Sequence, residues 1–264
     1  MKSKLHKSLF YILLLCLSIT LSGCVKKSEN TDVLDKILQR GKIIVGVKYD
    51  TKPFGYIDEN QKLVGYDVDL AKYIAKSILG SEDRVEFKQV TPSNRILALN
   101  SGQVDMIIAT MTITNQRAEV VDFSAPYYMA GQAILVPQKS DIKSMSDLNG
   151  KKVIIIFGTT AEKNLRLIAP EAQIVGYKTY TSGYSALKQN RADAMTSDDT
   201  ILIGFALQDE ALKLLSKRYS KEPYAIAFKK GADSAGLRNK VDFIIEDMAQ
   251  TGKLNQLKAK WIKY

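Results

Sequence analysis

Short runs of β-branched apolar residues alternate with segments of helical period twice along this chain, and that alternation restricts the fold more than any other feature. Ile43–Val47 reads as a buried strand. Pro53-Phe54-Gly55-Tyr56 breaks the pattern as a loop, and Gly65-Tyr66-Asp67 leads into a helix. Its apolar positions Val68, Ala71, Ile74, Ala75, Ile78 and Leu79 share one face, Asp67 and Asp69 suit its positive end, and Gly80 stops it. A strand around Val85–Val90, a short helix over Ile96–Asn100 capped by Ser93 or Asn94, and a strand over Val104–Ala109 follow. After a turn at Asp147–Gly150 the pattern restarts. Lys152–Ile156 is a strand, Ala161–Ile168 a helix stopped by Pro170, Ile174–Val175 a short strand, Ser185–Gln189 a helix and Ala192–Met195 a strand. Strand–helix–strand units build largely parallel sheets with helical crossovers, and two units of similar size imply two lobes.

Two extended stretches join the units. Tyr127–Val136 leaves the first, Pro223–Phe228 returns to it, and two helices separated by Thr251-Gly252 close the chain. The expected spans are 34–130 plus 223–264 for the first lobe and 131–222 for the second. Ligands of such sheets collect at the carboxyl ends of strands, and a cleft between lobes is a favoured site.

The first residues do not fit this architecture. Lys2, Lys4 and Lys7 precede the 13-residue apolar run Leu9–Leu21, which is too short to span a bilayer and reads as an export signal. The run ends Leu21-Ser22-Gly23-Cys24, which resembles the lipobox of bacterial lipoproteins. That resemblance implies cleavage after residue 23, acylation of Cys24 that holds the protein on a lipid bilayer, and a tether over 24–33. Composition now becomes informative, because both cysteines (Cys16, Cys24) and the sole histidine (His6) lie in this stretch. The mature chain is expected to lack disulfides, His/Cys zinc sites, and Ser-His or Cys-His catalysis. No metal or cofactor is expected. Without Lys2, Lys4 and Lys7 the formal charge falls from +10 to +7, carried by dispersed residues, and nucleic acid is not an expected partner.

Five segments resemble one family. They are Gly65–Leu70, Val104-Asp105 through Thr110–Arg117, Asp122–Tyr128, Asp147–Lys151 and Tyr224–Phe228. Together they are similar, in order and spacing, to the polar amino-acid solute-binding proteins of ABC importers, extracellular solute-binding family 3. The resemblance runs from about Val33 to Trp261. It implies a type II periplasmic-binding fold, two α/β lobes joined by two hinge strands, closing as a monomer on one amino acid. It also implies a permease partner and a location facing the periplasm or the cell exterior.

The resemblance carries residues with it. Arg117 holds the position that binds the α-carboxylate, a role suited to the planar guanidinium fork. Thr110 is implied for the ammonium and Thr112 for the carboxylate, and both are expected on one face at the end of a strand. Asp198 matches the carboxylate that holds the ammonium, with Asp199 one residue away as the alternative. Thr159 and Thr160 offer donors at a helix start, or simply cap it. Lys48 and Arg95 lie at the cleft edge, and two cations beyond Arg117 point to a second ligand carboxylate, as in the glutamate/aspartate-binding members. The competing reading has Lys48 reaching solvent and Arg95 paired with Asp50, Glu86 or Asp105. Tyr180 is expected to close over the ligand side chain, while Phe54, Tyr56 and Tyr66 line it or belong to the core. Glutamine, cystine or cysteine remain alternative ligands. A dehydratase of the cyclohexadienyl type, using a cleft carboxylate as general acid, is the competing class.

Overall fold

The computed structural model describes residues 32–263, so the expected signal, Cys24 and most of the tether lie outside the described residues. Asp32 opens the fold. Its carboxylate accepts from Leu34 N at 2.8 Å, capping α1 (Val33–Arg40), and from Gly236 N at 2.8 Å. The tether expected over 24–33 therefore ends sooner, because Asp32 caps the first helix and bonds Gly236, and Val33 opens that helix.

Strand β1 (Ile43–Val47) is followed by a small antiparallel meander of β2 (Asp50–Thr51), β3 (Gly55–Ile57) and β4 (Leu63–Val64). A loop is expected there, since strands of two or three residues leave no readable alternation. Helix α2 (Tyr66–Leu79) ends on Gly80 in the left-handed conformation, as its sequence predicts. Then come β5 (Val85–Gln89), α3 (Arg95–Asn100), β6 (Met106–Ile107), α4 (Asn115–Ala118) and β7 (Val121–Ala130). The second run is β8 (Gln132–Pro137), β9 (Lys152–Ile156), α5 (Ala161–Ile168), β10 (Gln173–Tyr177), α6 (Tyr180–Lys188), β11 (Ala194–Asp198), α7 (Asp199–Ala206) and β12 (Leu212–Leu214). Strand β13 (Glu222–Lys229), α8 (Ala235–Gln250) and α9 (Lys253–Trp261) complete the chain.

The strands form two five-stranded sheets, ordered β5-β1-β6-β13-β7 and β10-β9-β11-β8-β12. In each, three neighbouring strands pair in parallel and one strand, β13 in the first sheet and β8 in the second, runs antiparallel to both its neighbours. The antiparallel strands are the ones that cross between sheets. Strand β7 passes through Gly131 directly into β8, and β13 re-enters the first sheet between β6 and β7. These are two α/β lobes joined by two connecting strands.

Burial holds each sheet to its helices. Leu70, Ala71, Ile74 and Ala75 of α2 pack in one cluster with Val45 and Val47, all inaccessible. Ile134, Val136, Val153, Ile155 and Leu165 form a second cluster under α5. Each such aliphatic side chain contributes about 1.5–3 kcal/mol of transfer free energy. The C-terminal helix is pinned back on the first lobe by Trp261, whose indole N–H donates to Asp69 at 2.8 Å and whose ring meets Tyr56 edge-on.

Candidate functional site

The carboxyl end of the parallel strands in the first sheet brings Lys48, Arg95, Thr110 and Asp67 together, and all four are buried. Thr110 is the hub. Its hydroxyl accepts from Lys48 Nζ, its amide donates to Asp67 Oδ2 at 3.1 Å, and its carbonyl accepts from Arg95 at 3.4 Å. A second guanidinium bond runs from Arg95 to the Ala109 carbonyl at 2.7 Å. Thr110 has φ +46°, a left-handed conformation that non-glycine residues rarely adopt. This corrects the expected strand alternation: the ladder stops at Ile107, and Thr110 and Thr112 reach the cleft from an irregular segment. Both are nonetheless buried.

Lys48 is 1% exposed and does not reach solvent. Among the described residues its close partners are the Thr110 hydroxyl and the face of Tyr180, 4.5 Å from the ring centroid, with no carboxylate within ion-pair distance. Among the described residues Arg95 is also free of ion pairs. Asp50 is taken up by the amides of Tyr180 and Thr181, Glu86 by Lys42 and Lys88, and Asp105 by Arg40. The Arg95 Nε is a buried donor with no acceptor among the described residues. The solvent-reaching and surface-paired alternatives for these two cations both fail.

Arg117 sits in the one-turn helix α4, whose start is capped by Thr114. Its guanidinium donates to the Thr112 carbonyl at 2.7 Å and, across the cleft, to the Gly158 carbonyl at 2.9 Å. Arg95 reaches the same Gly158 carbonyl at 3.4 Å. Gly158 has φ +82°, and a Cβ there would lie 2.5 Å from the Pro92 carbonyl oxygen of the first lobe. Only glycine permits that approach. The neighbouring threonines do different work. The Thr159 hydroxyl donates to the Ile156 carbonyl at 2.7 Å, whereas Thr160 donates to Glu222 at 3.0 Å and does not cap α5.

Asp198 ends β11 and is buried, with the Tyr224 hydroxyl donating to it. Asp199 points elsewhere: it accepts from the Gly131 amide at 3.2 Å and pairs with Arg218 at 2.7 Å. Tyr180, 1% exposed, opens α6 and places its hydroxyl 3.3 Å from Ser197. Phe54 and Tyr66 belong to an aromatic core with Tyr127, Tyr128 and Tyr224, with ring centroids 5.3–6.4 Å apart. Tyr56 lies under Trp261.

Three residues of this constellation are invisible to the motif reading. Asp67 reads as a helix N-terminal acid but is inaccessible, accepting from Tyr127 at 2.9 Å as well as from Thr110. Tyr224 reads as a strand residue. Glu222 lies at the start of the returning strand, accepting from Thr160, Asn164 and Ser220. The alternation of β13 gives no hint that its first residue faces the other lobe.

Burial dominates the titration of the cluster. It pulls Lys48 down to about 7, helped by the Arg95 cation and opposed by Asp50, Asp198 and Asp67. It pushes Asp67 up to about 6, against the Tyr127 hydrogen bond and the Lys48 charge. Asp198 is likewise pushed up to about 6, with Glu222 adding to the rise and Tyr224 opposing it. Arg95 and Arg117 are both lowered by burial yet stay charged, as guanidinium groups do. Three cations thus face three buried carboxylates, Asp67, Asp198 and Glu222. Among the described residues, no group of three or more His, Cys, Asp or Glu could hold a metal ion, and no helix is long and apolar enough to cross a membrane.

Residues 43–264 match the profile of the bacterial extracellular solute-binding proteins, family 3. The chain belongs to that family. It is 40% identical over 260 residues to the ABC transporter glutamine-binding protein GlnH of Bacillus subtilis (strain 168), covering 97% of this chain and 94% of that one. It is 46% identical over 205 residues to the glutamine-binding protein of Geobacillus stearothermophilus, covering 77% and 78% of the two chains. Among solved structures, the cysteine-binding protein from Campylobacter jejuni superposes with a TM-score of 0.84 at 36% identity, covering 88% of this chain and 93% of that one. The family and this likeness fix the fold class as the type II periplasmic-binding arrangement. This family member thus carries its buried charges where its two lobes meet.

Proposed function

We propose that this solute-binding protein captures a free polar amino acid between its lobes and presents it to the membrane subunits of an ABC importer, with glutamate or aspartate as the ligand. The single observation that carries the acidic reading is that two buried cations, Lys48 and Arg95, form no ion pair among the described residues. A zwitterionic amino acid matches its carboxylate to Arg117 and its ammonium to Asp198, with Thr110, Thr112, Thr159 and Thr160 supplying the surrounding hydroxyls. Lys48 and Arg95 feel Asp50, Asp67 and Asp198 without forming an ion pair with any of them, and a side-chain carboxylate would give them a direct partner. The unpartnered Arg95 Nε and the Lys48 ammonium, which is in no ion pair among the described residues, supply its donors. Tyr180 closes over the same end. The lobes move about the two connecting strands near residues 130–132 and 220–222, and the closed form docks on the permease. Export and a lipid anchor at Cys24 complete the proposal, with the receptor acting as a monomer at the outer face of a bacterial membrane.

Glutamine is the second reading. A lysine that titrates near pH 7 can lose its proton and accept a hydrogen bond from a side-chain amide, and relatives of 40% and 46% identity carry glutamine in their names. A thermal-shift panel of the twenty amino acids plus cystine separates the readings. At about 100 times Kd a ligand adds about 2.7 kcal/mol, enough to raise the midpoint by several degrees. Shifts with glutamate and aspartate support the proposal; shifts confined to glutamine, arginine or cystine reject it. The cyclohexadienyl-type dehydratase draws only on the raised Asp198 carboxyl, and turnover of prephenate or arogenate above background would favour it.

A further inference from the structure

The side chain of Asp50 joins the two lobes at a point the ligand reading does not use. Strand β2 of the first lobe carries it, and its carboxylate accepts from the Tyr180 amide at 2.8 Å and the Thr181 amide at 3.4 Å, the first two residues of α6 in the second lobe. Those amides are among the donors that no helix can satisfy internally. The cap of α6 in its own lobe, Thr179, takes only the Ser182 amide, so Tyr180 and Thr181 depend on Asp50. The positive end of the helix also favours a carboxylate there. The Thr51 hydroxyl, buried beside it, donates to Asp50 at 3.1 Å and helps to hold its rotamer.

The same helix start delivers Tyr180 to the ligand end of the cleft, where its ring covers Lys48 at 4.5 Å. Residues 48 and 50 therefore grip one residue of the opposite lobe from two sides, the ring through Lys48 and the amide through Asp50. The groups that face Lys48 are Asp50 from β2, Asp67 from α2, Arg95 from α3, Tyr180 from α6 and Asp198 from β11. Of the three carboxylates, Asp67 is held by Tyr127 of its own lobe, Asp198 accepts one hydroxyl from Tyr224 of the first lobe, and Asp50 takes two backbone amides of the second.

We propose that Asp50 is a positioning residue that latches the closed cleft: it docks the start of α6 on the first lobe, seats Tyr180 over Lys48 and so sets how long a bound amino acid is retained. The latch forms only when the lobes meet, so it acts on release and leaves capture alone. This rests on the amino-acid reading of the cleft, and its test has one arm that does not.

The ligand-independent arm is amide hydrogen exchange by NMR on the folded protein. Asp50→Ala should strip protection from the Tyr180 and Thr181 amides while amides 184–188, bonded inside α6, stay protected. The ligand arm follows radiolabelled glutamate, and in parallel glutamine, chased with unlabelled amino acid. Asp50→Ala should raise the dissociation rate about tenfold to a hundredfold, as expected for two hydrogen bonds to a charged acceptor, and leave association within about twofold. Asp50→Asn, which keeps one acceptor oxygen without the charge, should fall between, and it serves if the alanine variant does not fold. Unchanged exchange at residues 180 and 181, or dissociation rates within twofold of the parent for both variants, would overturn the latch. Retention of glutamine but not glutamate by the parent chain would sink the acidic reading and leave the latch standing.

Discussion

A buried lysine with no carboxylate partner costs the fold something, and the cost is measurable. Replacing Lys48 by Met keeps the length of the side chain and removes the charge. Lys48 is pulled from 10.5 to about 7, which at ~1.4 kcal/mol per pH unit corresponds to about 5 kcal/mol of native-state destabilisation at pH 7. The sign follows from proton binding. Between about pH 7 and 10.5 the unfolded chain holds this proton and the folded chain does not, so stability rises with pH across that window. Part of the cost is already offset by the Thr110 hydrogen bond and the Tyr180 ring, each worth about 1 kcal/mol. Asp67 and Asp198 also lose a nearby cation in the variant. The net expectation is that Lys48→Met gains about 2–3 kcal/mol, raises Tm by several degrees and flattens the rise of stability between pH 7 and 10. Urea unfolding of the ligand-free protein at pH 7 and pH 9.5, parent against variant, provides the assay. A variant less stable than the parent at pH 7 would refute the reasoning, because Lys48 would then be stabilised by a partner that this geometry does not contain. Gain in stability with loss of binding is the usual trade-off at a functional site.

Further outcomes can be checked in parallel. Arg117→Ala should abolish detectable binding of glutamate and glutamine alike in calorimetry, since the α-carboxylate is common to both; retained micromolar affinity would contradict its role. Gly158→Ala should weaken binding at least tenfold, because its methyl group would meet the Pro92 carbonyl at 2.5 Å and φ +82° disfavours it, while the ligand-free Tm changes little if the cleft opens instead. Glutamate affinity should fall up to about tenfold per unit as pH rises above about 7, since the ligand must then recharge Lys48, whereas glutamine affinity stays flat there. Below about pH 6, protonation of Asp198 should weaken both ligands; parallel alkaline limbs for the two would show that Lys48 does not face the ligand side chain.

The sequence carries the α/β units because a helix of three or more turns and a fully buried strand both leave a strong apolar period. Helix α2 and strands β1 and β9 lie where that period puts them. Elements that are short or polar leave little trace, which is why the β2–β4 meander, α4 and β12 go unread. The same limit applies to the site. Arg117 and Asp198 are legible because a motif with fixed spacing holds them. Asp67 is not, because a carboxylate in the first turn of a helix has a sufficient local explanation, and only the tertiary approach of Thr110 and Tyr127 gives it another. Glu222 and Asp50 are hidden for a related reason: each owes its partners to the other lobe, and contacts across 58 to 131 residues leave no local pattern. Lys48 and Arg95 sit between these cases. Their positions are readable, but whether they face solvent, a surface carboxylate or the cleft is decided by burial alone.

The proposed selectivity rests on two buried cations, Lys48 and Arg95, that form no ion pair among the described residues and would meet a second ligand carboxylate. Isothermal titration of glutamate and glutamine into the same protein sample at pH 6.5, with Lys48 largely protonated, tests it most directly. Glutamate should bind at least about thirtyfold tighter, the ratio expected when buried cations go unmatched by a neutral ligand. Equal affinities, or tighter binding of glutamine, would contradict it.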